Sequence, residues 1–198
     1  MRVYHRGRAG RPLRIIWTLE EVGEPYELTV IDPEAGSAPA HLARHPLGRV
    51  PVLEDDVGYL FESAAMCMQV GDLHPESGLM PALGTHERGL VYQWSVYAPA
   101  ELEPPLFETW RQADKDAQRA AAARRRFDAA ADVVVKALEG RTYLLGDAFT
   151  IVDVMVGTTI LFTTRAGFAE ELPQPLKDYS ARLAERPAFG RALKRTFG

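Results

Sequence analysis

The stretch HLARHPLGRVPVLEDDVGYLFESAA, residues 41–65, decides the fold. Within it two short apolar runs, VPVLE and YLF, flank the turn sequence DDVG, and this pattern predicts a β-hairpin. Pro51 opens the first run. Its peptide bond with Val50 could be trans, as at an ordinary strand start. It could instead be cis, which would turn the Val50 N–H and carbonyl outward to pair with an extended peptide.

Glu62 and Ser63 come directly after the hairpin and open a second pattern. The sequence SAAMCMQVGDL, residues 63–73, predicts a helix with Ser63 as its N-cap. The free N–H groups at a helix start attract an anion, and a serine hydroxyl can donate to a carboxylate. Glu62 can hold an ammonium group. The pair therefore suits the carboxylate and ammonium of an α-amino acid, although a plain helix cap beside a solvated glutamate would look the same.

The rest of the chain divides around this stretch. Upstream, RVYH and YELTV predict strands, and a helix is predicted from Pro12 to a stop at Gly23. With a short helix before the hairpin, the order is β-α-β-α-β-β-α, which predicts a parallel strand pair with a hairpin added at the edge. Residues 76–84 are rich in Pro and Gly and predict a linker. The chain is thus predicted to form an α/β domain over residues 1–75 and an all-α domain over residues 85–198.

Three segments in series resemble the cytosolic glutathione transferases of bacterial type. LRIIWTLEEVGEPYEL, residues 13–28, resembles their first helix and second strand. The opening stretch, residues 41–65, resembles their glutathione-site segment. LLGDAFTIVDV, residues 144–154, resembles the helix-capping motif of their helical domain, here Thr150 with Asp153. The resemblance implies a thioredoxin-like β-α-β-α-β-β-α domain that binds glutathione, followed by an all-helical domain that borders the electrophile pocket.

The same resemblance implies roles for individual residues. The Val50 backbone would pair with the cysteinyl unit of glutathione, and Pro51 would be cis. Glu62 and Ser63 would hold the γ-glutamyl end, and Arg49 could meet the glycyl carboxylate. Tyr97 would contact the electrophile, and His45 stands where an asparagine is common. A homodimer is also implied.

HRGRAGRPLR, residues 5–14, lacks the group that family members use to stabilise the thiolate. Ala9 and Gly10 stand where serine-type relatives carry serine, and Tyr4 is about one residue out of register with the tyrosine-type position. The Gly10 and Arg11 N–H groups precede a helix, whose positive end can lower a thiol pKa. Three arginines could add charge: Arg8, Arg11 and Arg14. Stabilisation by this loop, stabilisation by Tyr4 and loss of catalysis are the three possibilities.

Composition excludes several other classes of protein. The net charge is −4 over 198 residues, which gives no reason to expect a nucleic-acid partner or an anionic membrane. No run of about 18 apolar residues predicts a membrane span. Cys67 is the only cysteine, so no internal disulfide can form, and with no secretory pattern at the N-terminus we expect a cytoplasmic protein. His41 and His45 are spaced as a metal pair would be, but no third ligand is near, so no metal is expected.

The predicted function is therefore that of a transferase that conjugates the thiolate of glutathione, its co-substrate, to small apolar electrophiles. Two alternatives stay open at this point. The first is a non-catalytic protein that keeps the glutathione site. The second is a glutathione-dependent lyase or isomerase on the same fold, because a fold does not fix the chemistry.

Overall fold

A computed structural model describes residues 1–7, 10–32 and 34–197. The strands are β1 (Arg2–His5), β2 (Glu27–Val30), β3 (Val52–Glu54) and β4 (Tyr59–Phe61). The helices are α1 (Pro12–Val22), α2 (Pro39–Leu42), α3 (Ser63–Leu73), α4 (His86–Tyr97), α5 (Glu103–Gln112), α6 (Ala117–Leu138), α7 (Ile151–Ala166), α8 (Gln174–Ala184) and α9 (Pro187–Phe197). None of the helices in the described ranges is both long and apolar enough to cross a bilayer.

The strands form one sheet in the order β2-β1-β3-β4. β1 pairs in parallel with β2 and antiparallel with β3, and β3 pairs antiparallel with β4. The βα crossover between β1 and β2 is α1, which ends at Gly23 in the left-handed conformation that glycine adopts without strain. The predicted element order and the hairpin added to a parallel pair are confirmed.

The chain separates into two compact units, residues 1–80 with 185–198 and residues 81–184. The sequence prediction had placed residues 185–198 in the helical domain. They group with the first unit because α9 packs along α1, where the rings of Trp17 and Phe189 lie 4.7 Å apart. The Arg186 guanidinium also donates to both carboxylate oxygens of Glu21, at 2.7 Å each.

The second unit is built around α7, whose residues are mostly buried. Asp153, in the first turn of this helix, accepts hydrogen bonds from the Leu144 and Thr150 N–H groups at 3.1 and 2.9 Å and from the Tyr179 hydroxyl at 2.7 Å. The predicted capping box of Thr150 and Asp153 is therefore present, and it also fixes the preceding turn and α8. Pro104 and Pro105 lie in the first turn of α5, directly after a π-helical turn at Ala98–Leu102 that joins α5 to α4. The helical hydrogen bonding therefore changes where these prolines lack an N–H.

Candidate functional site

The register of the sheet brings the predicted site segments to one end. β1 ends at His5, β3 begins at Val52 and β4 ends at Phe61. Tyr4 pairs with Val52, and Val52 pairs with Phe61, so these three strand ends are neighbours. The segments attached to them must meet at the same edge: the start of α1 with Gly10 and Arg11, the segment Arg49–Pro51, and the start of α3 with Glu62 and Ser63.

The segment before β3 presents an open piece of backbone. The Val50–Pro51 peptide bond is cis, and Pro51 is buried. Val50 packs against a small core cluster of Tyr4, Ile31 and Val52. Among the hydrogen bonds of the described residues, none uses the backbone N–H or carbonyl of Val50. Both groups can therefore receive a backbone partner.

Glu62 has an unusual backbone conformation at the start of α3. Its φ is 71° and its ψ is 108°, a region that side chains disfavour. Such residues persist where the surrounding structure fixes them, often at ligand sites. Glu62 is the N-cap of α3, so the prediction that Ser63 caps the helix is wrong. Among the residues that the structure describes, no side chain caps the N–H groups at this helix end, which leaves the helix dipole open to an anion.

Ser63 is the first residue of α3 and is buried beside Arg14 of α1. Arg14 Nη1 donates to the Ser63 hydroxyl oxygen at 3.4 Å. With its oxygen accepting from a guanidinium, the hydroxyl can direct its own hydrogen to a further acceptor. The guanidinium adds positive charge behind the helix end. The sequence identified Arg14 only as one of three arginines that could add charge at the start of α1, so this link between α1 and α3 was not foreseen.

The start of α1 has few free donors. The Leu13 and Arg14 N–H groups bond to the carbonyl oxygens of Gly10 and Arg11 at 2.9 and 3.1 Å, and Pro12 has no N–H. Any backbone N–H group that this helix end directs to a ligand must therefore precede Pro12, in the part of the chain where the predicted residues Gly10 and Arg11 lie. Arg11 is exposed and takes helical φ and ψ angles. The predicted positions Arg8 and Ala9 lie outside the described residues.

Tyr4 is buried, and its hydroxyl donates to the Glu54 carboxylate at 2.7 Å. This hydrogen bond lowers the pKa of Glu54. Glu54 ends β3 and pairs with Arg2 at the start of β1, so the hydroxyl is directed toward the sheet end opposite to the predicted site. The Arg44 guanidinium covers the ring, 4.5 Å from its centroid. The structure therefore does not bring the Tyr4 hydroxyl together with the ends of α1 and α3.

Comparison with known proteins supplies the family. Residues 1–68 match the model "Glutathione S-transferase, N-terminal domain" and residues 116–190 match "Glutathione S-transferase, C-terminal domain". "Glutathione S-transferase GST-4.5" of Xanthomonas campestris pv. campestris is 32% identical over 149 residues, 72% of this chain and 73% of that protein. The chain belongs to the glutathione S-transferase family.

A longer alignment and two solved structures agree with this family assignment. "Glutathione S-transferase 4" of Zea mays is 30% identical over 195 residues, 91% of this transferase chain and 86% of that one. The solved ternary complex of BphK, a bacterial glutathione transferase, has a TM-score of 0.90 at 26% identity over 99% of both chains. A sphingomonad glutathione S-transferase complexed with glutathione has a TM-score of 0.87 at 27% identity, over 99% of this chain and 98% of that one. The predicted family, the fold class and the prediction of a transferase are confirmed.

Sequence reasoning mostly missed the residues whose side chains hold the backbone of the segment before Pro51 in this transferase. The sequence singled out His45 for standing in place of an asparagine and, with His41, for the spacing of a metal pair. It is buried, its Nδ1 accepts from the Leu47 N–H at 3.1 Å, and its ring lies 5.0 Å from that of Phe61. Burial lowers its pKa, partly offset by the nearby carboxylate of Glu62. Arg6 donates to the carbonyl oxygen of Gly48, and the His41 ring bonds to that of Arg49. No pattern in the sequence distinguishes these polar side chains from exposed ones.

Tyr97, the predicted electrophile contact, lies on α4. Its hydroxyl donates to the Ala130 carbonyl oxygen at 3.0 Å, and its ring meets Trp94 edge-on at 5.2 Å. Burial raises the pKa of Tyr97. The hydroxyl is therefore engaged within the second unit, and only the ring is available for contact. Within the described ranges no three His, Cys, Asp or Glu side chains are grouped as a metal site would require.

Proposed function

We propose that this transferase binds glutathione at the sheet end formed by His5, Val52 and Phe61 and conjugates its thiolate to small apolar electrophiles. The observation that carries the proposal is the convergence there of an open Val50 backbone and an uncapped α3 start. An extended peptide fits the first feature, and a carboxylate fits the second. Glutathione offers both groups in one molecule, and the sphingomonad relative is a complex with it.

Each part of glutathione then has a partner of suitable chemistry. The γ-glutamyl carboxylate would lie at the start of α3, where Ser63 donates and Arg14 supplies positive charge. The γ-glutamyl ammonium would pair with Glu62, which is exposed. The cysteinyl backbone would pair with Val50, and the exposed Arg49 would meet the glycyl carboxylate. Each hydrogen bond between a charged group of glutathione and the protein would contribute about 1.5–3 kcal/mol to the binding free energy.

The thiolate is proposed to lie at the start of α1. A free thiol has a pKa near 8.5, so the site must favour the charged form at neutral pH. The Gly10 and Arg11 N–H groups, the positive end of α1 and the Arg11 side chain can do so. Tyr4 is a poorer candidate because its hydroxyl donates to Glu54. The thiol proton leaves to solvent, the sulfur forms a bond to the electrophilic carbon, and the leaving group departs with its electron pair.

One pair of measurements tests this function. The absorbance of the thiolate is followed against pH with glutathione bound, and conjugation of a generic aryl halide is assayed. We expect a thiol pKa at least about one unit below that of free glutathione, with turnover. Tight binding with an unshifted thiol pKa and no turnover would support the non-catalytic alternative, and turnover of other substrate classes alone would support a lyase or isomerase.

Two substitutions then divide the mechanisms. Arg11→Ala is expected to raise the pKa of the bound thiol and lower kcat. Tyr4→Phe is expected to leave both near the wild-type values, because it removes only the hydrogen bond to Glu54. A raised thiol pKa in Tyr4→Phe with no effect of Arg11→Ala would reverse this assignment.

We further propose that the predicted ranges serve distinct functions: residues 1–75 bind glutathione, 76–84 form the linker, and the range 85–198 contributes Tyr97 to the electrophile pocket. The last residues of that range, 185–198, pack with the first unit and would support the glutathione domain. A homodimer is supported by apolar side chains that stay exposed on β4 and α4, such as Phe61, Tyr92 and Val96. Sedimentation velocity should find twice the chain mass of 22.0 kDa.

A cytoplasmic location is proposed because the cytosolic glutathione pool is kept reduced.

A further inference from the structure

The three residues before Val50 have their backbone held by three side chains, those of Arg6, His41 and His45. The Leu47 N–H donates to His45 Nδ1 at 3.1 Å. The Gly48 carbonyl accepts from Arg6 Nη2 at 3.2 Å. The Arg49 carbonyl lies 3.1 Å from His41 Nε2. The backbone is thus fixed up to Arg49, and the next residue is the open one that the proposed function gives to glutathione.

Two glycines allow this segment to pack tightly against the turn that precedes α2. Gly48 has a φ of +59°, and a Cβ there would lie 2.1 Å from the Gly36 carbonyl oxygen. A Cβ on Gly36 would lie 2.6 Å from Arg6 Nη2. Neither position can hold a larger residue without displacing its neighbours. The segment therefore has little room to move except at its open end.

His41 has a buried ring that makes one hydrogen bond within the described part of the chain. Its residue is 2% exposed, and a carbonyl oxygen can only accept, so Nε2 carries the proton and donates to Arg49. The other ring nitrogen, Nδ1, is buried and has no hydrogen-bond partner among the residues that the structure describes. An unsatisfied buried nitrogen opposes folding. An imidazole is thus an unfavourable group for packing alone, and its one bond to the Arg49 carbonyl is what distinguishes it from an apolar side chain.

We propose that His41 is a positioning residue of the glutathione site. By holding the Arg49 carbonyl it fixes the peptide plane that joins Arg49 to Val50, and so aims the Val50 N–H at the ligand. This inference rests on the proposed function. It assigns to His41 an effect on glutathione affinity and none on the thiol, because the hydrogen bond of the His41 ring is to the Arg49 carbonyl, next to the residue that would pair with the cysteinyl backbone.

The test compares His41→Leu with His41→Gln. Leucine fills the space without a donor, whereas the glutamine amide can donate from nearly the same place as Nε2. We expect His41→Leu to raise the Kd for glutathione about tenfold, the effect of losing one ordered hydrogen bond. The kcat at saturating glutathione and the pKa of the bound thiol should stay within about twofold and a few tenths of a unit. His41→Gln should restore the Kd to within about threefold.

Several outcomes would overturn the inference. An unchanged Kd in a folded His41→Leu variant would do so, as would a fall in kcat with unchanged Kd or failure of glutamine to restore binding. His86→Gln, on the exposed start of α4, is the matched control and should change nothing. If wild-type protein itself does not bind glutathione, the proposed function fails. If wild type binds and His41→Leu binds equally, only this inference fails.

A measurement on the wild type keeps the inference testable if His41→Leu does not fold. Nitrogen-15 NMR of the histidine rings distinguishes the two neutral tautomers. His41 is expected as the Nε2–H tautomer, with a slowly exchanging proton, both with and without glutathione. Observation of the Nδ1–H tautomer would mean that no bond to the Arg49 carbonyl exists, and the inference would be wrong.

Discussion

Replacing Glu62 by alanine and by glycine separates the backbone strain of this residue from the charge of its side chain. Both substitutions remove the carboxylate. Only glycine relieves the φ of 71° and ψ of 108°, because alanine keeps a Cβ. The side chain is exposed, so its removal leaves no cavity. The two variants therefore form a matched pair that differs in backbone freedom alone.

The expected magnitudes follow from these two differences. A non-glycine residue in a sparsely populated region is less stable by about 1–3 kcal/mol. Glycine lowers stability by about 0.4–1 kcal/mol through the greater freedom of the unfolded chain. We therefore expect Glu62→Gly to unfold with a free energy about 1 kcal/mol above that of Glu62→Ala. For binding, both lose a charged hydrogen bond to the ammonium, and the Kd for glutathione should rise about tenfold or more in each.

Urea denaturation followed by circular dichroism measures the first quantity, with equal m-values required for the comparison. Titration calorimetry with glutathione measures the second, and Glu62→Gln serves as a control that keeps size while removing charge. If alanine is as stable as glycine, the backbone at residue 62 is not strained. If either variant binds glutathione like wild type, Glu62 does not hold the ammonium.

Three further predictions concern stability. Asp153→Asn should lower the free energy of unfolding in urea by about 3 kcal/mol, because the amide NH2 would face a buried N–H group that now donates to the carboxylate. A loss under 1 kcal/mol would contradict the hydrogen bonds described. Gly157→Ala should lower it by about 1–3 kcal/mol, since a Cβ would lie 2.2 Å from Leu183 Cδ1, and Leu183→Ala in the same chain should reduce that penalty. Burial lowers the pKa of His5 and His45, so the unfolded chain takes up these protons more readily. The contribution of these two histidines to the free energy of unfolding should be fully present above about pH 6.5 and be lost as the pH falls below it. A free energy of unfolding that stays constant between pH 7 and 5 would refute this.

The elements themselves were largely predictable because their signals are local. Pro12 and Gly23 mark the ends of α1, and the two apolar runs around DDVG become β3 and β4. The error at Ser63 is a shift of one residue, and its cause is tertiary. Glu62 becomes the N-cap although its side chain makes no capping hydrogen bond, and Ser63 bonds with Arg14 instead. The placement of α9 could not be predicted, because its hydrogen bond to α1, from Arg191 to Glu20, joins residues 171 positions apart.

The sequence alone determined the order of strands and helices, the position of the proposed glutathione segments and the lack of an ordinary activator at residues 5–14. Those properties depend on residue type and short spacing, which are visible in the chain. Only the tertiary structure decided that the Tyr4 hydroxyl faces Glu54 and that Arg14 lies beside Ser63. It also decided that the segment before Val50 is held by the side chains of Arg6, His41 and His45. These outcomes depend on which side chains come together when the strands pair and the helices pack on the sheet. The sequence does not distinguish a buried histidine such as His41 from an exposed histidine, because burial depends on neighbours that are distant in the chain.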